Sequence, residues 1–177
     1  MTRHRITLDE FHRMVEAGVF PEDLRLELVE GDLLEMSPIG KRHAAKVARL
    51  TAHFAPLTPT RALLYVQSPL VLGSSELYPD VALLKPRPDF YEEALPEGKD
   101  ALLVVEVADT SLRYDLTTKL PLYARSGVPE VWVVDLEGGR LLVHRHPEGG
   151  AYREVEALGA GKRLSFLGVE IPTEELL

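Results

Sequence analysis

Two carboxylates stand on stretches that are otherwise apolar. Asp80 opens the run Val81, Ala82, Leu83, Leu84, which Pro79 and Pro86 bracket. Glu106 lies inside Leu-Leu-Val-Val-Glu-Val-Ala, flanked by Val104, Val105 and Val107. A carboxylate in a buried strand costs several kcal/mol unless it is paired or binds a metal. Each has a plain structural reading. Asp80 follows a proline and can serve as a turn residue that solvates a strand entrance. Glu106 can pair with a buried Arg or Lys, or lie at the strand's exposed end. Taken together they allow chemistry. On neighbouring strands of one sheet they come within a few ångströms and form a hard-oxygen site suited to Mg²⁺ or Mn²⁺. Phosphodiester hydrolysis uses that arrangement: the metal polarises the phosphate and activates a water, and a nearby ammonium neutralises the transition state. Clustered carboxylates repel without a cation, so removing Asp80 is expected to stabilise the metal-free protein.

The elements that must position these residues can be read along the chain. Thr7 and Glu10 form a capping box for a helix that closes on Gly18, with Leu8, Phe11, Met14 and Val15 on one face. Leu24, Leu26 and Leu28 alternate with Arg25 and Glu27, and Gly31 supplies a turn, which predicts a β-hairpin. A second helix is predicted from Lys41 to just before Pro56. Short strands follow around Ala62–Val66 and Pro69–Gly73, then the stretch of Asp80. The polar, proline-rich segment 86–100 reads as a surface loop. Ala101–Asp109 shows no alternation, so it should be buried on both faces at the centre of the sheet. The segment Tyr114–Gly127 is helical, and because Pro121 cannot sit deep in a helix, the start is expected near Thr117 or Thr118. A meander through Pro129–Leu136, Gly139–His146 and Tyr152–Leu158 follows, with glycine turns between. The order predicts an α/β or α+β domain with a mixed β-sheet flanked by helices, a single domain over residues 1–177.

Bulk properties narrow the function classes. The chain is 45% hydrophobic and 27% charged, an ordinary globular composition. No apolar run approaches the roughly 18 residues that span a membrane. The N-terminal segment has no apolar signal core, so a cytoplasmic location is expected. There is no cysteine, which excludes disulfides, thiolate catalysis and cysteine-based zinc sites. There is no asparagine and only one glutamine, Gln67, and this depletion hints at a thermophile. A net charge of −8 speaks against a broad nucleic-acid-binding surface but leaves room for a local basic patch. No phosphate-binding G-x-x-x-x-G-K-[ST] loop and no G-x-S-x-G elbow occur.

The run Pro-Asp-Val-Ala-Leu-Leu at 79–84, followed by the segment Leu102–Asp135, resembles the Uma2 family of the PD-(D/E)XK superfamily of restriction-endonuclease-like folds. The hairpin Leu24–Pro38 and His43 fit the same pattern, and the resemblance spans about Leu24 to Val155. It implies a metal-dependent endonuclease acting on DNA, with Mg²⁺ or Mn²⁺ as cofactor. Asp80 matches the Pro-Asp aspartate and Glu106 the (D/E) position. The lysine that usually follows two residues later is absent, since that position is Ala108. The resemblance places it instead on the following helix, at Lys119. Glu27 matches the hairpin glutamate, a further metal ligand or water-orienting group. A nuclease of this size often acts as a dimer to reach both strands, so a homodimer is expected.

The remaining candidates carry less. His43 stands among small residues on a helix. Asp115 is an N-cap or a partner for Arg113 or Lys119. His144 and His146 share a strand face at period two, a spacing that suits a metal, yet they read as a solvated face. Tyr123, Trp132 and Tyr152 read as packing residues. Two other function classes stay open: a catalytically inactive nuclease-fold binding or regulatory module, favoured by the acidic charge and by Ala108, and a metal-free carboxylate-pair hydrolase such as a glycosidase.

Overall fold

A computed structural model describes residues Met1–Leu177. Helix α1 (Leu8–Glu16) is capped by Thr7 and Glu10 in the predicted box and buries Phe11. Val15, placed on the same face from the sequence, is exposed. The hairpin forms from β1 (Leu26–Val29) and β2 (Asp32–Glu35). Glu30 and Gly31 both take positive φ at its turn, which glycine adopts at no steric cost. Helix α2 (Lys41–Phe54) ends two residues before Pro56. Strands β3 (Leu63–Val66), β4 (Leu70–Leu72), β5 (Ser75–Leu77) and β6 (Val81–Leu84) follow. Strand β6 spans the apolar run that Pro79 and Pro86 bracket; β5 was not expected from the sequence, and the two belong to different sheets.

The larger sheet has six strands in the order β10-β9-β8-β7-β6-β3. Strand β7 (Ala101–Ala108) lies inside it, between β6 and β8 (Glu130–Asp135), as its unbroken apolar run requires. Only the β7–β8 pair is parallel. A parallel pair needs a crossover, and a helix supplies it. Strands β9 (Arg140–Glu148) and β10 (Ala151–Leu158) complete the meander. The smaller sheet, β2-β1-β5-β4, is antiparallel. A C-terminal hairpin, β11 (Arg163–Phe166) and β12 (Val169–Pro172), has no counterpart in the sequence reading.

Two apolar clusters cover the two faces of the large sheet. One joins Ala82, Val104, Val131 and Val133 to Leu122 and Tyr123 of the crossover helix and to Val29, Leu70 and Leu77 of the small sheet. The other joins Leu83, Val105, Trp132 and Val134 to Val47, Leu50 and Phe54 of α2 and to Ile171 of the C-terminal hairpin.

The crossover helix departs from expectation. It begins at Leu112 rather than at Thr117 or Thr118, as α3 (Leu112–Tyr114), passes through a π-helical turn at Asp115–Lys119, and continues as α4 (Leu120–Arg125). The N–H of Leu120 donates to the carbonyl of Asp115, five residues back. Pro121 clashes with the carbonyl four residues earlier in a regular α-helix; the wider turn moves that carbonyl aside, and the proline sits without ending the helix.

Candidate functional site

The register of β6 against β7 settles where the two strand acids lie. Val81 faces Val105, so Asp80 stands one step out, across from Glu106. Both line one cleft of about 650 Å³, together with Glu27, His43, Tyr114, Asp115 and Lys119. The cleft walls come from the hairpin, the start of α2, the end of β7 and the π turn.

Asp80 is held on both oxygens. Its Oδ2 accepts the backbone N–H of Val107 at 2.8 Å, and its Oδ1 lies 3.0 Å from Nε2 of His43. That hydrogen bond raises the His43 imidazole above its ordinary pKa, against the opposing effect of burial. Nδ1 of His43 is buried without a partner. Removing the Asp80 carboxylate would therefore orphan a buried backbone donor. The expectation that its loss stabilises the metal-free protein gives way to the opposite one.

Glu106 is buried, and burial pushes its carboxyl up. Its Oε1 accepts two hydrogen bonds: Nζ of Lys119 donates at 2.6 Å, and the Tyr123 hydroxyl donates as well. Oε2 is left as the oxygen open to a ligand. Lys119 is equally buried, and burial alone would lower its pKa. The carboxylates of Glu106, Glu27 and Asp115 outweigh that and hold it above the ordinary lysine range, as an ammonium. Glu27 Oε2 is 3.6 Å away and Asp115 Oδ1 3.9 Å. Burial lifts the Asp115 carboxyl to about 6, opposed by Lys119 and by the Ser111 hydroxyl, which donates to Oδ2 at 2.7 Å.

Glu27, expected as a further metal ligand, lines the same cleft. Its Oε2 accepts the backbone N–H of Tyr78 at 2.9 Å and faces Lys119. No three His, Asp or Glu side chains are grouped to hold an ion. Donors that could meet a hard cation here include the Asp80 carboxylate and Oε2 of Glu106. Mg²⁺ ordinarily takes one or two carboxylates and fills its shell with water and phosphate oxygens, so two suffice. Position 108 holds a buried alanine at the end of β7, and Lys119 supplies the only ammonium lining the cleft.

Three residues gained a role that the sequence did not disclose. Tyr123, read as packing, donates to Glu106; its spacing of four from Lys119 on a helix was the available signal. Tyr78 fixes Glu27 through its main chain. Tyr114 brings a buried hydroxyl without a partner to the cleft wall. The two strand histidines stay away from the cleft. His144 is buried, not solvated, with Nδ1 3.3 Å from the Val131 carbonyl and its ring against Tyr152. His146 is exposed and pairs with Glu154 at 3.2 Å.

Over residues 8–173 the chain matches the Uma2 family, described as "Putative restriction endonuclease". The fold is similar to the crystal structure of "a putative nuclease belonging to DUF820" from Anabaena variabilis ATCC 29413. The TM-score is 0.73 at 18% identity, over 97% of each chain. No curated protein matches the sequence. With residues 8–173 matched, nearly its whole length, the chain belongs to the Uma2 family.

Proposed function

We propose that this protein is a nuclease that hydrolyses DNA phosphodiester bonds with Mg²⁺ or Mn²⁺. The observation that carries the reading is the meeting of Asp80, Glu106 and the Lys119 ammonium at one open cleft, with Lys119 Nζ 2.6 Å from Glu106 Oε1. Asp80 and Glu106 would hold the cation, which when bound polarises the phosphate and lowers the pKa of a water. Val107 and His43 fix the Asp80 carboxylate in place. Glu27 and Asp115 keep Lys119 protonated and aimed at the cleft. Its ammonium then neutralises charge that develops on the phosphoryl oxygens. The lysine moves from the strand to the helix without losing its contact with the second acid.

The test is cleavage of a supercoiled plasmid and a labelled duplex by the purified protein in Mg²⁺, in Mn²⁺ and in EDTA. Cleavage in either metal, absent in EDTA and absent from Asp80→Asn and Glu106→Gln, supports the reading. Cleavage in EDTA, or cleavage that survives both substitutions, overturns it. Ala108 in place of the strand lysine favours the second reading, a nuclease-fold binding module. An intact protein that cleaves in neither metal decides for it. A homodimer would bring two such clefts to the two strands; light scattering on the eluted protein measures this.

A further inference from the structure

The cleft is the wrong sign for a nucleic acid. It is lined by six carboxylates, against Arg25, Lys119 and His43. Phosphate affinity comes mainly from Lys and Arg, so a strand that reaches Glu106 needs an anchor beside the cleft. Helix α2 has the opposite sign. In a chain of net charge −8, its fourteen residues carry Lys41, Arg42, Lys46 and Arg49 and no Asp or Glu. It leads directly out of the cleft, since Gly40 and His43 line the wall where it starts.

The four cations are not equally engaged. Lys46 donates to the carbonyls of Glu175 and Leu177, at 3.3 and 2.6 Å. Burial, with Arg49 and Arg42 nearby, holds its ammonium below the ordinary lysine value. Arg42 donates to the Leu136 carbonyl at 2.6 Å and stands 4.0 Å from Asp109. Lys41 and Arg49 are exposed and take part in no ion pair. On the same helix Ala45 and Ala48 lie between them and Ala52 just beyond, all exposed, and these small side chains let a partner approach closely. A helix of this length runs about 21 Å, roughly six steps of a DNA strand.

We infer that the solvent face of α2 is the surface that holds the DNA backbone beside the scissile bond, with Lys41 and Arg49 as its main phosphate contacts. The identity of the partner rests on the nuclease reading; the surface is tested without cleavage. Binding of a fluorescent 20-base-pair duplex is followed by anisotropy in metal-free buffer across a salt series. The double variant Lys41→Ala/Arg49→Ala is expected to bind more weakly, with a salt slope shallower by about two. A control of equal charge change, Lys85→Ala/Lys99→Ala, should follow the parent. Equal affinity and slope for the α2 variant and the parent overturn the inference, whether or not the protein cleaves. So does a parent that shows no binding at low salt. Binding that depends on α2 with no cleavage in either metal keeps the surface and removes the nuclease.

Discussion

Lys119 and Glu106 form a buried ion pair at 2.6 Å, and neither residue is more than a few per cent exposed. The lysine satisfies the acid that the strand buries, and the acid aims the lysine into the cleft. The structural and the chemical readings of Glu106 are therefore not alternatives.

Lys119→Ala separates the two contributions. Cleavage should fall by roughly two orders of magnitude, the scale of one lost transition-state donor. Returning a lysine to the strand, as Ala108→Lys in the same background, should restore part of it. The single variant also strands Glu106, at a cost of about 3–5 kcal/mol where the carboxyl must stay ionised. Because burial pushes that carboxyl up, protonation relieves the cost, and the variant should regain stability as pH falls. Cleavage at the parent rate would remove Lys119 from the mechanism.

Asp80 is expected to divide by substitution. Asn keeps an acceptor for the Val107 N–H, so Asp80→Asn should melt close to the parent while losing Mg²⁺-dependent cleavage. Asp80→Ala leaves that donor unmet and should cost about 1–3 kcal/mol even without metal. Denaturant curves in EDTA measure both; an alanine variant more stable than the parent would mean that carboxylate repulsion dominates.

Asp115 gives a signed pH dependence. Its folded pKa of about 6 lies above the ordinary 3.8. Below 3.8 both the folded and unfolded forms hold the proton, so the group contributes nothing. Between 3.8 and about 6 the unfolded chain ionises first, and stability falls as pH rises; above 6 the loss is complete. Asp115→Asn removes this loss, so its advantage over the parent should grow from pH 4 to 6 and then level. A constant difference across that window would contradict the assignment.

Tyr114 offers a stability gain. Its hydroxyl is buried without a partner, and burial pushes the phenol well above its usual pKa. Tyr114→Phe should therefore raise stability by about 1 kcal/mol. A lower melting temperature would show that the hydroxyl is satisfied through a bridging water.

Much of the frame was legible because local pattern and tertiary role coincide. The valine-rich run of β7 can only be central, and the capping box at Thr7 marks α1. Asp80 and Glu106 stood out as acids on apolar strands, and their pairing follows from strand register. The start of the crossover helix was not legible, because the rule for Pro121 assumes α geometry throughout. The short strand β5 was hidden by its neighbours, and the C-terminal hairpin left no alternation strong enough to mark it. The roles of Tyr123 and His43 were not legible either, since both depend on side chains converging from distant segments.

The π turn sets the angular phase of the whole site. A regular helix advances about 100° per residue, so the eight residues from Asp115 to Tyr123 would overshoot two full turns by about 80°. Asp115 and Tyr123 would then look in different directions. The turn at Asp115–Lys119 winds more slowly and takes up most of that excess. Lys119 stands 3.9 Å from Asp115 Oδ1, and Lys119 and Tyr123 reach the same oxygen of Glu106. The single extra residue thus acts as a rotational spacer: losing it would leave the helix intact and its composition nearly unchanged, yet turn the carboxyl, the ammonium and the phenol out of common aim.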